Sequence, residues 1–350
     1  MNNSNDNILY LSQKEVKLAC KEVDSVAVIR EVLHLHGIGE TILPDEAYLS
    51  WKNSHGEAVR SLNMPGYVGG SLNIAGTKII NGNINNPKRG LPRASGLTML
   101  YDDLSVRIVC LMEGAQISSL RTASVTALAV DVLKGRNIHT LAVIGAGILA
   151  KAHIELLVQR IPELRSIRIY DLDVERIHAL ESELAPFLGE YEVAMRLSSS
   201  AEEAIRDAQL IVPTTTTTTG YIQYEWLQRG SILVNVSLDD ALPEVVLKAD
   251  LAVVDDWHLV KSDPRRLLGR MYRQGQIVGP DDVIEHHTGE APRRIDAQLG
   301  EIVAGKKSGR RSLDDIVYVN PFGLAIEDVA MAAHVYQSAL KLDLGIWLSR

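Results

Sequence analysis

The turn Gly145-Ala146-Gly147-Ile148-Leu149-Ala150 follows the apolar run Leu141-Ala142-Val143-Ile144 and opens a helical stretch over 148–158 with no breaker. In a strand-turn-helix of this kind Gly145 permits the tight turn, Gly147 lets the backbone approach a pyrophosphate, and Ala150 allows close helix-strand packing. The helix N-terminus adds free N–H groups and the positive end of its dipole. Asp171 lies 24 positions beyond Gly147, after a second apolar run, where an acid accepts hydrogen bonds from an adenosine ribose. A glycine pair alone is weak evidence, since such spacing arises by chance in many turns. Strand, helix and acid together point to a Rossmann-type site for NAD. An acid at that position repels a 2′-phosphate and so favours NAD over NADP, with Arg176 near enough in sequence to soften the preference.

Other residues carry chemistry with less force. Asp240 lies beyond the apolar run 232–236, at the carboxyl edge of a sheet, where ligands of open α/β folds bind and where a carboxyl group can exchange protons. As a bare pattern, Asp239-Asp240 is also an ordinary turn pair, and Asp239 reads as a surface acid. Lys78 ends an apolar stretch, the usual place for a snorkelling edge lysine. Arg121 sits in an otherwise apolar helix, so its charge needs either a bound carboxylate or an internal acid. Threonines 214–219 fit a strand end, although hydroxyls there also suit a cofactor. Glu327-Asp328 opens the last helix and needs no role beyond complementing its dipole. The ten histidines, His34/His36 and His286/His287 among them, show no zinc-ligand spacing, and no metal is expected.

These residues need elements to hold them. A strand over 8–11, a helix capped by Ser12 and a second helix after Asp24 open the chain. Strands at 58–64, 71–80, 94–100 and 106–112, broken by turn residues, predict an antiparallel sheet, and a helix follows over 113–133. From Gly135 the rhythm becomes strand, helix, strand, which predicts a parallel sheet from Thr140–Ile144, Ser166–Tyr170, 210–212, 232–236 and Leu251–Val254. The stretch 261–312 is polar and weakly periodic, with a helix expected at 294–304; a strand at 316–319 and a helix from Gly323 to about Leu342 close the chain.

At 350 residues two domains are expected. Hydrophobic content of 46% with 23% charged residues is globular composition, and no apolar run is long enough for a bilayer span. The polar Met1 to Asp6 lacks a secretory pattern, so a cytoplasmic protein is expected. Two cysteines make no disulfide framework and read as core residues. A net charge of -8 gives no reason to expect a nucleic-acid partner.

With these pieces placed, the chain resembles the ornithine cyclodeaminase/mu-crystallin family along nearly its whole length. The matching segments are Gly76-Thr77-Lys78, Ile117-Ser118-Ser119-Leu120-Arg121-Thr122-Ala123, the glycine turn, 235–244, Leu299-Gly300-Glu301-Ile302-Val303-Ala304-Gly305 and Gly323-Leu324-Ala325-Ile326-Glu327-Asp328. Asn86-Pro87-Lys88-Arg89, Arg93-Ala94-Ser95-Gly96, Tyr224-Glu225-Trp226-Leu227 and Val253-Val254-Asp255-Asp256-Trp257 are most similar to its dehydrogenase branch in siderophore 2,3-diaminopropionate synthesis. That branch oxidises N-(1-amino-1-carboxy-2-ethyl)glutamate with NAD and releases 2-oxoglutarate and 2,3-diaminopropionate. The resemblance implies an α/β fold, a Rossmann domain (121–315) inserted into a second, α+β domain for substrate binding and dimerisation made from both chain ends (1–120 with 316–350), and a homodimer. It implies catalytic roles for Asp240 and Lys78, and substrate or cofactor contacts for Lys78 and Arg121. Cofactor contacts carry over to Thr122, Gly145, Gly147, Ile148, Leu149, Asp171, Thr215, Asn235, Val236, Ser237 and the Asn320-Pro321 turn.

Departures from the family pattern bear on the substrate. Where cyclodeaminases carry a glutamate two residues before a Met-Pro pair, this chain has Leu62, so an amino-acid ammonium loses its partner. The family's early substrate arginine falls on Ser50, while Arg60 and Arg93 are basic where cyclodeaminases are not. Arg60, Lys78, Arg93 and Arg121 together suit a small anionic amino-acid substrate with three carboxylates. An ornithine cyclodeaminase-type activity, an imine- or opine-type reductase running in the opposite direction, and a non-catalytic nucleotide-dependent binding protein are the alternatives. Leu62 speaks against the first and Asp240 against the last.

Overall fold

The computed structural model describes residues 7–237, 239–284 and 291–350, so His286/His287 and Met1 to Asp6 lie outside the described residues. It divides into two compact units, one of Met1–Arg121 with Gly323–Arg350 and one of Thr122–Phe322.

The first unit is built on a mainly antiparallel sheet in the order Ile346–Ser349, Asn7–Leu11, Ile108–Glu113, Ala94–Tyr101, Ile74–Asn83, Ala58–Val68 and Thr41–Ile42, with Ala47–Lys52 also pairing to Ala58–Val68. Its long strands alternate buried and half-buried residues, as period-2 side chains with one face against a core must. Helices Gln13–Cys20, Ser25–Ile38 and Ala325–Lys341 pack on the face carrying Leu9, Leu11, Val68, Leu100, Cys110 and Met112. The last helix lies so close to the sheet that a Cβ on Gly76 would meet Val329 Cγ2 at 3.2 Å. Asp24 Oδ1 caps the second helix by accepting the Ala27 N–H at 3.1 Å, and Glu15 closes a capping box on Ser12. Cys20 and Cys110 are buried, and burial pushes both thiols up to about 12.

The strand expected to stop at Met64 runs through Pro65 to Val68. One edge strand covers residues 58–63 and the other 67–68, so the proline falls in the gap between them, where a missing N–H costs least. Strands Ala47–Lys52 and Ile346–Ser349 were not foreseen: every residue in both is exposed, so neither shows the alternation that marks a half-buried strand.

The second unit holds an eight-stranded parallel sheet in the order Ala194–Leu197, Ser166–Tyr170, Thr140–Ile144, Leu210–Pro213, Ile232–Val234, Val317–Asn320, Leu251–Val254 and Ala297–Gln298. Its central strands are continuous apolar runs, the mark of a sheet covered on both faces. The order reverses at Thr140–Ile144, and such a reversal opens a crevice at the carboxyl ends of the neighbouring strands. Two expectations are corrected. Residues 316–322 do not join the terminal unit, because Val317–Asn320 is hydrogen-bonded between Ile232–Val234 and Leu251–Val254. The helix expected at 294–304 is only Leu299–Val303, since Arg293–Arg294 and Ala297–Gln298 form strands. No helix among the described residues is long and apolar enough to cross a membrane.

Candidate active site

In the second unit Gly145 follows its strand with φ +100°, and a Cβ there would press on Thr214 at 3.1 Å. Gly147 caps helix Ile148–Arg160, and a Cβ on it would meet nothing within 4 Å. Its place is therefore not set by protein packing; it leaves open backbone, as a pyrophosphate requires. Asp171 Oδ2 accepts the Ala146 N–H at 2.7 Å and Oδ1 accepts the Asp173 N–H at 2.9 Å, which fixes the carboxylate beside the turn with lone pairs to spare for ribose hydroxyls. Beside it Leu172 is 91% exposed and Ile148 71%, apolar surface suited to a nucleobase; Leu149 is half-buried. These residues fit a dinucleotide. Arg176 points to Asp173 at 3.8 Å in an exposed pair.

At the carboxyl edge of this sheet Asp240 is fully buried. Thr215 Oγ1 donates to its Oδ1 at 2.7 Å, Tyr221 Oη reaches the same oxygen at 2.8 Å, and Ser237 Oγ lies against Oδ2. Burial pushes Asp240 above the ordinary carboxylate range, opposed by its hydrogen-bond contacts with Ser237, Thr215 and Tyr221. The Tyr221 and Ile222 N–H groups both donate to the Asp240 carbonyl at 2.9 Å, which brings the tyrosine to the acid. Asn235 is buried; its Nδ2 donates to the Ser237 carbonyl at 3.1 Å, and the Asn320 side chain donates to the Asn235 carbonyl at 2.8 Å. Pro321 is buried next to Asn320, while Val236 and Thr122 are half-buried. Asp239 is no surface acid: it is 3% exposed and accepts from Arg270 Nη2 at 2.9 Å.

In the first unit Lys78 is 2% exposed; Nζ donates to Ser118 Oγ at 2.8 Å and to Asp328 at 3.0 Å. Arg121, 8% exposed, pairs through Nη1 with Glu327 at 3.0 Å and through Nε with Asp328 at 3.2 Å. The reading of Glu327-Asp328 as dipole complements is corrected, since both are fully buried counter-charges. Of the two partners open for Arg121, the structure shows the internal acids. Burial pulls the Lys78 ammonium below its ordinary value, Asp328 opposes this, and Arg121 adds to it. Thr98 stands opposite Lys78 on the next strand, fully buried, with no partner for its hydroxyl among the described residues.

Arg60 pairs in register with Gly82, Leu62 with Ile80 and Met64 with Lys78, so these residues share the helix-covered face of the sheet, and Leu62 and Met64 pack with Ala325. Arg60 Nε passes 3.4 Å from where a Gly82 Cβ would stand, and the Arg93 carbonyl lies on the same spot at 3.7 Å. Burial and the like charge of Arg60 pull the Arg93 guanidinium below its ordinary value. Much of the Arg93 residue nonetheless faces solvent, where water screens that repulsion. Neither arginine has a carboxylate partner among the described residues. Sequence reasoning missed Tyr221, Ser118, Thr98 and the role of Glu327 and Asp328, whose partners are brought in by the fold and leave no local signal.

Residues 9–343 match the ornithine cyclodeaminase/mu-crystallin family. The N-((2S)-2-amino-2-carboxyethyl)-L-glutamate dehydrogenase of Staphylococcus aureus is 29% identical over 99% of both chains. The crystal structure of CmnK superposes with a TM-score of 0.87 at 34% identity, covering 98% of both chains. An archaeal alanine dehydrogenase dimer with bound NAD superposes with a TM-score of 0.81 at 25% identity, covering 98% of this chain and 99% of that one.

Proposed function

The chain belongs to the ornithine cyclodeaminase/mu-crystallin family, and we propose that within it the chain oxidises N-(1-amino-1-carboxy-2-ethyl)glutamate, releasing 2-oxoglutarate and 2,3-diaminopropionate. Bound NAD would supply the hydride acceptor for the glutamyl α-carbon, and water would hydrolyse the substrate imine so formed. The open Gly147 backbone, Asp171, Ile148 and Leu149 are the residues to hold it, with Thr122, Thr215, Asn235, Val236, Ser237 and Pro321 as the further contacts that the family likeness suggests. Asp240, desolvated among hydroxyls, exchanges a proton with the substrate nitrogen. Lys78 and Arg121, held by the buried acids, receive a substrate carboxylate, with Lys78 as the second catalytic group.

The observation that carries this reading is the Arg60 and Arg93 pair. Arg60 stands on the sheet face that also carries Lys78, and Arg93 is near enough to feel its charge; neither has an acid of its own among the described residues, and two such guanidinium groups suit the further carboxylates of a tricarboxylate. The dehydrogenase from Staphylococcus aureus, matched end to end, acts on a substrate of that kind by its name. Purified protein given NAD and this glutamate adduct is expected to produce NADH and 2-oxoglutarate. Proline and ammonia from ornithine, without accumulation of NADH, would restore the cyclodeaminase reading.

We also propose a homodimer. The sheet of the first unit bears its helices on one face, and the other face displays Leu49, Trp51, Ile346 and Leu348, all exposed. An apolar face of this extent is characteristic of an association surface, and the similar alanine dehydrogenase was solved as a dimer.

A further inference from the structure

Ser237 Oγ meets two oxygens: the main-chain carbonyl of Pro213 at 3.1 Å and Asp240 Oδ2. A hydroxyl has one proton to give, and a carbonyl can only accept. A proton shared between the two would give neither a full bond; both contacts are full hydrogen bonds at once only if Ser237 donates to Pro213 and accepts from Asp240. The other carboxyl oxygen tells the same story. Thr215 Oγ1 accepts the Thr217 N–H at 3.1 Å and is left free to donate, so Oδ1 receives the Thr215 and Tyr221 hydroxyls and has both lone pairs filled. A neutral carboxylic acid, one O–H and one C=O, satisfies every donor and acceptor in this set; a carboxylate leaves Ser237 to choose between its two partners.

We propose that Asp240 rests as the neutral acid, its proton held in a chain from Oδ2 through Ser237 Oγ to the Pro213 carbonyl, with Ser237 as the positioning residue. The surroundings agree. Burial raises the acid, and among the described residues no cation pairs with it. Of the charged groups nearby, Asp239 is held by Arg270, and Arg266 lies toward Tyr318, whose fully buried hydroxyl faces the same region. In the proposed oxidation such an acid gives its proton to the leaving nitrogen of the hydrated imine and takes one back from the hydroxyl that becomes the ketone, so the acid is regenerated. This use of the proton rests on the proposed function; the protonation state does not.

The test is infrared spectroscopy of the whole protein without substrate, with the Asp240 band assigned by difference against Asp240→Asn. A protonated carboxyl C=O band is expected near neutral pH, disappearing as the solution is made alkaline. Ser237→Ala removes the acceptor of the acid proton, so the band should titrate about one pH unit lower, the scale of one hydrogen bond; Ser237→Thr should restore it. If Ser237 instead donates to a carboxylate, Ser237→Ala moves the titration upward. That result, or a wild-type protein with no such band at about pH 6 to 8, overturns the proposal, and the wild-type spectrum decides it even if Ser237→Ala does not fold. Because no turnover is measured, failure of the proposed reaction would leave this result standing.

Discussion

Arg60 stands directly across the antiparallel ladder from Ser50. Side chains opposed in this way share one face of the sheet. The position on which the family's early arginine falls is therefore empty of charge here, and a guanidinium rises from the neighbouring strand instead, with Arg93 beside it. Arg93→Ala should lower kcat/KM for the tricarboxylate adduct at least about tenfold, the scale of one charged hydrogen bond, and Arg60→Ala should do the same. NADH affinity should not change in either variant, because both residues lie outside the nucleotide-binding unit. Unchanged kcat/KM in both, measured by NADH formation, would remove the argument for three carboxylates.

Asp171 is held against the glycine turn by the Ala146 N–H, so it cannot swing away from a 2′-phosphate without losing that bond. NADH should bind more tightly than NADPH in fluorescence titrations, and Asp171→Ser should narrow the gap. Equal or tighter NADPH binding by the wild type would show that Arg176, exposed beside Asp173, sets the preference instead.

How much was legible in the sequence followed the range of each interaction. The strand, turn and helix of 140–160 form from neighbours, so their boundaries and the places of Gly145, Gly147 and Asp171 could be read directly. Asp240 was found by its place at a strand end. Its hydroxyl partners Thr215 and Tyr221 lie 25 and 19 residues away, and only the second has no local pattern to betray it. Lys78 and Asp328 are separated by 250 residues, Arg121 and Glu327 by 206. Acids in the first turn of a helix already have a sufficient local explanation, and it hid their burial. Asp239 was misplaced for the same reason, its partner Arg270 lying in a stretch with weak periodicity.

Those long-range pairs should be visible as stability. Lys78, Arg121, Glu327 and Asp328 balance as two cations and two anions inside the first unit. Glu327→Gln or Asp328→Asn leaves a buried positive charge without its counter-charge, which costs on the order of 3–5 kcal/mol. Chemical denaturation should show a loss of that order in each variant. A loss under about 1 kcal/mol would mean that water already reaches these groups.

The bare face of the terminal unit predicts a light-scattering mass near twice 38.4 kDa. Trp51→Glu, which puts a charge beside Leu49 at one edge of that face, should shift the protein toward the monomer. A wild-type mass near one chain would leave the apolar face without a second copy to cover it.

Asp240 joins chemistry to stability in one variant. As the positioned acid-base group, its replacement in Asp240→Asn should lower turnover by about two to four orders of magnitude while NADH binding persists. The same substitution should change the pH dependence of unfolding, and the sign follows from the raised position of the folded acid. Folded Asp240 holds its proton above the ordinary value of 3.8, so the native state binds more protons than the unfolded chain in the window above that value. The stability this contributes is fully present below 3.8 and is lost as pH rises through the folded value. Asparagine does not titrate. The wild type should therefore lose ground to Asp240→Asn as pH increases across that window, seen as a fall in the wild-type Tm minus the variant Tm. A rise in that quantity with pH would mean that the three hydroxyls outweigh burial and hold a carboxylate; near-normal turnover in the variant would leave Asp240 structural and require another base.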